Sequence, residues 1–339
     1  MTEEQRPPES RPGTPYRRLF SLPALVAAAI AVAFLAFLVT RFDVDLAATY
    51  RQVRAGDPLL YALAFVSYYA SFVVRGARWR LTARHAGVVR PGQRLPSLWE
   101  CSLLTLVGWF ANSVGWLRAG DAYRAYAFSG AARSSFSWSL GVLVADRVLD
   151  VAAMVVLLWV AALVLLATGG GVPSLFFGVI GLALAGAAAA AVAFMAWRGN
   201  PLLRWLPRPL ARAYDGLRQG ALGSLRPLPG AMALGMAAWL LEAGRLLLVI
   251  HALGLSLDAP AVLFVAVVNG LLTSVPVTPG GLGIVEPGIV GLLALSLSQE
   301  DAVAVAVLDR SVSYVSVVVL GGLAFAFWTL WQRRSAPKA

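Results

Sequence analysis

Long apolar runs separated by short arginine-rich segments set the pattern of this chain. Residues 1–18 are polar, rich in proline and arginine, and read as a disordered basic tail. Phe20 to Thr40 is apolar over about the ~20 residues a bilayer core requires, which predicts an uncleaved first span. A polar loop (41–57) leads to a second span, Leu59–Val74. The basic run that follows (Arg75, Arg78, Arg80, Arg84, Arg90, Arg94) is expected on the cytoplasmic side. Leu98–Trp116 is apolar but is followed at once by Leu-Arg-Ala-Gly-Asp-Ala-Tyr-Arg (117–124), so 98–133 reads as a hairpin rather than a span. Phe136–Leu166 is a full span carrying Asp146, Arg147 and Asp150, and a glycine turn (169–171) separates it from the span Leu175–Trp197.

Residues 198–229 interleave arginines with leucine, tryptophan and tyrosine, a mixture suited to an amphipathic helix on the cytoplasmic leaflet. Ala231–Ala252 is a further span, and Glu242 and Arg245, three apart on one helix face, are expected to pair with each other. The last span runs Val303–Trp331 with Asp309 and Arg310 inside it, and a basic tail (332–339) closes the chain.

The stretch 269–298 breaks the rule of continuous spans. Apolar flanks enclose Pro276, Pro279, Gly280, Gly281, Gly283, Glu286, Pro287 and Gly288, and proline and glycine interrupt any helix there. A broken segment at membrane depth survives only where protein or a wet cavity satisfies its backbone, so this reads as a re-entrant hairpin with Glu286 near its tip. A plainer reading is a tight loop between two short spans, with Glu286 capping a helix.

Composition agrees. Of 339 residues, 59% are hydrophobic and 13% charged, against about 25% charged in soluble domains, and the mean hydropathy is +0.74. The fold class is therefore all-α: a polytopic membrane helix bundle of about six full spans plus two re-entrant helical hairpins. Domain organisation follows as a single transmembrane domain, 19–331, with repeat cores at 98–166 and 260–331. The net charge of +11 sits in short loops beside apolar runs, which points to anionic lipid rather than nucleic acid. With the N-terminus inside, only Arg41, Arg51 and Arg54 fall in outer loops, so both termini are placed on the cytoplasmic side of a bacterial-type cytoplasmic membrane. One cysteine (Cys101) excludes an internal disulfide and a cysteine-based metal site, and no phosphate-binding loop suggests an ATP motor. No cofactor is expected, and the oligomeric state is left open.

The two hairpins share an ordered pattern. The first has Asn112-Ser113-Val114, then Gly120-Asp121, then Asp146-Arg147; the second has Thr273-Ser274-Val275, then Gly283 and Glu286, then Asp309-Arg310. Asp121 to Asp146 is 25 positions and Glu286 to Asp309 is 23. Counting spans places the two Asp-Arg helices in opposite directions, an inverted repeat of the kind that alternates access around a midplane site. Asp146 lies ~13 Å along its helix at ~1.5 Å rise per residue, near mid-bilayer. Because neighbouring helix residues diverge, Asp146 and Arg147 each need another partner, with Asp121, Arg118, Arg124, Glu286 and Arg310 available. A lone charge there costs ~2.5–3.5 kcal/mol on insertion scales, so this cluster reads as a site. Arginines together with helix N-termini suit phosphate oxygens. The alternative is that Arg147 and Arg310 merely pin the hairpin acids in closed salt bridges.

Arg78-Trp79-Arg80, Asn112 through Gly120-Asp121 and Arg124, Asp146-Arg147, and Pro279-Gly280-Gly281-Leu282-Gly283 with Glu286 resemble the transmembrane module of the lysylphosphatidylglycerol synthase family, also called flippase-like or UPF0104. The resemblance runs from about residue 20 to 331, and its most specific element is Pro-Gly-Gly-x-Gly-x-x-Glu. It implies a module that moves lipid between leaflets; some members carry an added soluble domain that aminoacylates phosphatidylglycerol, and related ones act on polyprenyl-phosphate sugars. The chain ends at Ala339 without that domain, so aminoacylation is not expected, and Trp116 stands where the family usually has proline.

The leading expectation is a lipid flippase-like carrier, not an enzyme, for an anionic phosphate-bearing lipid. Arg118, Arg124, Arg147 and Arg310 would hold the headgroup, while Asp121 and Glu286 act as gates or proton-linked counter-charges. The runners-up are a membrane-embedded glycosyl or headgroup transferase using Asp146 or Asp309, and a non-transporting membrane regulator.

Overall fold

The first described helix begins where Asp57 caps it, its carboxylate accepting the N–H of Leu59 at 2.8 Å and of Leu60 at 3.3 Å. A computed structural model describes residues 51, 54–87, 93–168, 174–197, 207–274 and 278–335. The expected basic tail, the first span (20–40), the glycine turn at 169–171 and the start of the amphipathic segment (198–206) lie outside the described residues. Everything ordered into secondary structure among the described residues is helical.

Helix α1 spans Pro58–His85, past the expected end at Val74. It carries Arg75 (3% exposed) and Arg78 (0%) into the interior, which corrects their placement on a cytoplasmic loop. Burying them is tolerable because carboxylates on neighbouring helices meet both guanidinium groups. Helix α2 (Leu98–Val114) opens on a reciprocal cap: Ser97 Oγ accepts the Glu100 N–H, and Glu100 accepts the Ser97 N–H. The chain then breaks at Gly115–Arg118 and doubles back as α3 (Ala119–Ala132). The two helices touch so closely that a Cβ on Gly120 would lie 2.1 Å from the Gly108 carbonyl oxygen. Only glycine allows that approach.

Helix α4 (Phe136–Ala167) matches its expected span, and α5 (Ser174–Ala196) covers the next. Helix α6 (Arg208–Ser224) is the described part of the amphipathic segment, but it does more than lie on a surface. Its small residues pack edge-on against α4 and the end of α1: a Cβ on Gly220 would meet the Trp138 carbonyl at 2.2 Å, and one on Gly223 would meet Ala86 at 2.7 Å. Helix α7 (Leu228–Ala252) packs most extensively on α1.

Helix α8 (Ala259–Ser274) is followed by a one-turn 3-10 helix at Pro279–Gly281 and the short α9 (Val285–Leu293). Gly280, Gly281 and Gly283 have φ of 59°, 72° and 85°, the left-handed backbone that glycine accepts without strain. The last run is α10 (Gln299–Arg310), a π-helical turn (Ser311–Val315) and α11 (Ser316–Ser335). Its expected span, Val303–Trp331, is therefore continuous but widened immediately after Arg310, and such π turns concentrate at functional positions.

By length and composition, four described helical runs can cross a membrane: α1, α4, α7 and α10 through α11. Their outward faces are greasy, with Leu59 and Val66 on α1, Leu163 on α4 and Leu323 on α11 all exposed. Helices α3 and α9, at 14 and 9 residues, are too short to cross alone. Apolar clusters hold the bundle: Val249, Ile250, Ile289 and Val305 in one, and Leu104, Val107, Phe128 and Trp328 in another. This is an all-helical, multi-pass membrane bundle.

Candidate functional site

Buried charge gathers in the middle of the bundle. Helix α1 is the first source. Its buried stripe Tyr68, Phe72, Arg75, Trp79, Ala83 advances at helical spacing, so both arginines continue the inward face of the apolar run. Arg75 bridges two helices, donating to Asp150 on α4 at 3.1 Å and to Glu242 on α7 at 2.9 Å. Its guanidinium sits between Trp109 and Trp239, with centroids at 5.3 and 4.9 Å. Arg78 binds Asp146 and Asp150, both at 2.8 Å from Nη2.

Asp146 also meets Arg124 of α3 at 3.2 Å, and that guanidinium lies 3.7 Å from the centroid of the Trp79 ring. Arg147, the next residue along α4, projects elsewhere. It reaches Asp121 at 2.6 Å and Asp150 at 3.3 Å. The expected divergence of Asp146 and Arg147 is thus seen, although Asp146 takes Arg78 as well as Arg124 for its partners.

The tip between α2 and α3 is strained. Leu117 and Arg118 both have positive φ, 53° and 54°, a conformation that costs non-glycine residues on the order of 1–3 kcal/mol. Arg118 is held there by Asp121 (3.1 Å) and by the Ser274 carbonyl at the end of α8 (3.0 Å). Asp121, in the first turn of α3, also accepts from Asn112 Nδ2 at 3.3 Å.

The second broken region repeats these ties. Glu286, in the first turn of α9, accepts the Gly283 N–H at 2.8 Å and pairs with Arg310 at 2.8 Å. Arg310 donates to the Gly280 carbonyl (3.1 Å) and lies over the Tyr314 ring. Asp309, fully buried, pairs with Arg245 of α7. Arg245 stands 3.9 Å from Glu242, so the expected pairing of those two is the weakest contact either makes. Their main partners are on other helices, because the i,i+3 separation places both on the inward face, where Arg75 and Asp309 already wait.

Taken together, seven arginines face six carboxylates in these ion pairs, leaving one positive charge. They surround a cavity of about 350 Å³. Arg75, Arg118, Arg147, Arg245 and Arg310 line it, with Asp121, Asp150 and Glu242. Amides and hydroxyls line it as well, among them Asn112, Asn269, Thr273, Thr278 and Ser313.

Four of the expected site residues (Arg118, Asp121, Arg147, Arg310) line this cavity, as does Gly280. The other four charged ones, Arg124, Asp146, Glu286 and Asp309, are buried outside the lining and hold its members in place. The tip residues Gly120, Pro279, Gly281 and Gly283 shape the breaks without lining the cavity. Sequence reasoning left Arg75, Asp150, Glu242 and Arg245 out of the site. The available signal was helical phase: Arg75 stands three and four positions beyond the buried Phe72 and Ser71 on one face.

Comparison with known proteins accords with this architecture. The family model for the lysylphosphatidylglycerol synthase TM region matches residues 24–321. A UPF0104 membrane protein of Methanocaldococcus jannaschii is 29% identical over 222 residues, covering 64% of this chain and 93% of that protein. Another, from Methanothermobacter thermautotrophicus, is 22% identical over 340 residues, covering 90% and 93%. The glycosyltransferase AglD of Haloferax volcanii is 26% identical over 340 residues, covering 88% of this chain and 53%, about half, of that protein. A match over most of the chain, on a multi-pass helical bundle with a charged centre, identifies this protein as a member of the lysylphosphatidylglycerol synthase transmembrane family, also called UPF0104.

Proposed function

We propose that the chain is a lipid carrier that passes an anionic, phosphate-bearing lipid between the leaflets of the cytoplasmic membrane. The observation that carries this reading is the cavity: five arginines line it against three carboxylates, inside helices whose outer faces suit lipid. Guanidinium groups match phosphate geometry with paired donors. A buried site so rich in cation has a use for an anion.

The broken helices give the motion a basis. In this reading α2–α3 and α8–α9 are re-entrant hairpins entering from opposite faces, beside about six full spans, with both termini cytoplasmic. The pairing supports an inverted repeat. Arg78 on α1 holds Asp146 while Arg245 on α7 holds Asp309; Arg147 holds Asp121 while Arg310 holds Glu286. Each half thus carries an arginine from the helix before its hairpin and an Asp-Arg pair on the helix after it. Ion pairs that exchange partners would open one tip as the other closes, alternating access around the arginines.

The test is headgroup translocation in proteoliposomes carrying fluorescent phosphatidylglycerol. Arg147→Gln and Arg310→Gln are expected to slow it severalfold while the protein remains folded; full-rate translocation in both sinks the carrier reading. A second reading, an embedded glycosyl transferase, is favoured by the resemblance to AglD. Release of sugar from a radiolabelled sugar-phosphate lipid by the purified chain would support it.

A further inference from the structure

We propose that the π turn at Ser311–Val315 is the hinge of the carrier, winding to α-helix and back so that α11 turns and displaces α2. This rests on the carrier reading and names its moving part. Three observations carry it.

The first is that the turn is held open from outside. A π turn holds more residues than an α turn and is rare, found mostly as a single turn within an α-helix. Here the Ser316 N–H reaches back five residues to the Ser311 carbonyl. Three tyrosines of α1 secure it. The Tyr68 hydroxyl donates to the Ser313 carbonyl at 3.0 Å. Ser311 Oγ and Ser316 Oγ direct their protons to the Leu308 and Val312 carbonyls, each at 2.5 Å. The Tyr61 and Tyr69 hydroxyls therefore donate to those serine oxygens, at 2.6 and 2.7 Å.

The second is that the wound form has its acceptor ready. In an α-helix the Ser316 N–H would bind the Val312 carbonyl, four residues back. That oxygen now takes the Ser316 hydroxyl instead. Winding exchanges a hydroxyl for an amide at one oxygen, which stays satisfied in both forms.

The third is where the rotation falls. Helix α10 is anchored: Asp309 is fully buried against Arg245, and Arg310 holds Glu286 at 2.8 Å. Helix α11 must therefore turn, by roughly 100°, the angle between neighbouring residues of an α-helix. Gly321 now faces α2, where a Cβ would lie 2.6 Å from the Phe110 Cβ. Winding brings Leu320, exposed in this state, round to that position. A leucine does not fit where a methyl already overlaps, so α2 is displaced. Tyr314, inside the turn, is carried off the Ser113 carbonyl of α2 and away from Gly280, against which its ring packs. One turn thus acts on both breaks.

The test is disulfide trapping in proteoliposomes of the full chain, in a Cys101→Ser background. Phe110→Cys and Leu320→Cys together are expected to cross-link on oxidation, because the wound form brings them face to face. Deleting Val315, an exposed residue of the turn, gives an α turn while leaving α11 facing as it does now. The deletion is expected to abolish the cross-link. Tyr61→Phe with Tyr69→Phe removes two donors from the turn, and neither residue lines the cavity. That pair should raise cross-linking about tenfold, the worth of two hydrogen bonds. Equal cross-linking in all three chains overturns the hinge, as does a parent chain that never cross-links. If the deletion fails to fold, the comparison of the parent with the tyrosine pair decides.

Translocation of fluorescent phosphatidylglycerol separates the hinge from the carrier reading. With native Phe110 and Leu320, the Val315 deletion should remain folded and stop translocation. A folded deletion that moves lipid at the parent rate overturns the hinge and leaves the carrier standing. Cross-linking that follows the turn in a chain that moves no lipid does the reverse.

Discussion

Arg147 on α4 closes on Asp121 at 2.6 Å, tying that 32-residue helix to the first turn of α3. The pair is 27% and 17% exposed at the side chains, whereas Arg78 and Asp146, one position earlier on α4, are 1% and 2% exposed. Adjacent residues therefore hold ion pairs of different kinds. One borders the cavity and the other is buried outside its lining.

That difference has a measurable consequence. Asp146→Ala strands Arg124 in the interior and leaves Arg78 with Asp150 alone, and removing one partner of such a buried pair costs about 3–5 kcal/mol. Arg147→Ala leaves Asp121 with Arg118 and Asp150 with Arg75 and Arg78, so no carboxylate is stranded and the cost is expected to be smaller. Thermal unfolding in detergent should rank Asp146→Ala far below Arg147→Ala in stability. Translocation should be impaired in both, and in Arg147→Ala without loss of folded protein.

The hairpin tips depend on two glycines for different reasons. A Cβ on Gly120 would overlap the Gly108 carbonyl of α2, and one on Gly280 would sit 2.6 Å from the Tyr314 ring at a φ of 59°. Gly120→Ala is expected to push α3 off α2 and lower stability by about 1–3 kcal/mol. Gly280→Ala strains the second tip and should alter translocation more than melting temperature. Paired melting and transport assays check both.

Topology can be read with single thiols. Cys101 is fully buried, so the parent chain should resist a membrane-impermeant maleimide while folded. Opposite entry of the hairpins predicts that Arg133→Cys, at the end of α3, labels only from the cytoplasmic face. Ser296→Cys, beyond α9, should label only from the outer face. Labelling of both from one face rules out the inverted arrangement.

Tyr314 joins the two broken regions. Its hydroxyl donates to the Ser113 carbonyl at 3.2 Å, and its ring lies under Arg310. Tyr314→Phe keeps the ring and removes the tie between the tips. Stability, read by thermal unfolding in detergent, should drop by about 0.5–1.5 kcal/mol.

The second break was legible in the sequence because proline and glycine act locally: Pro279 and the glycines after it exclude a continuous helix in any surroundings. The Asp-Arg pairs were legible as buried charge for a similar reason, since apolar neighbours on both sides leave them nowhere else to go. Arg75 and Arg78 were misplaced because they follow the apolar run rather than interrupt it. At a run's end, an arginine entering a loop and one entering the core look alike along the chain.

By itself the sequence determined the membrane setting, the long helices, the two interruptions and the presence of matched acids and arginines, all of which follow from residue-by-residue hydropathy and backbone preference. The tertiary structure decided which acid each arginine holds. It brought Arg75 and Glu242, 167 positions apart, to 2.9 Å, and it sorted the charges into those that line the cavity and those that brace its walls. Pairing of that kind depends on how α1 and α7 pack along each other. Packing between distant helices is a property of their surfaces in three dimensions, which no local pattern encodes.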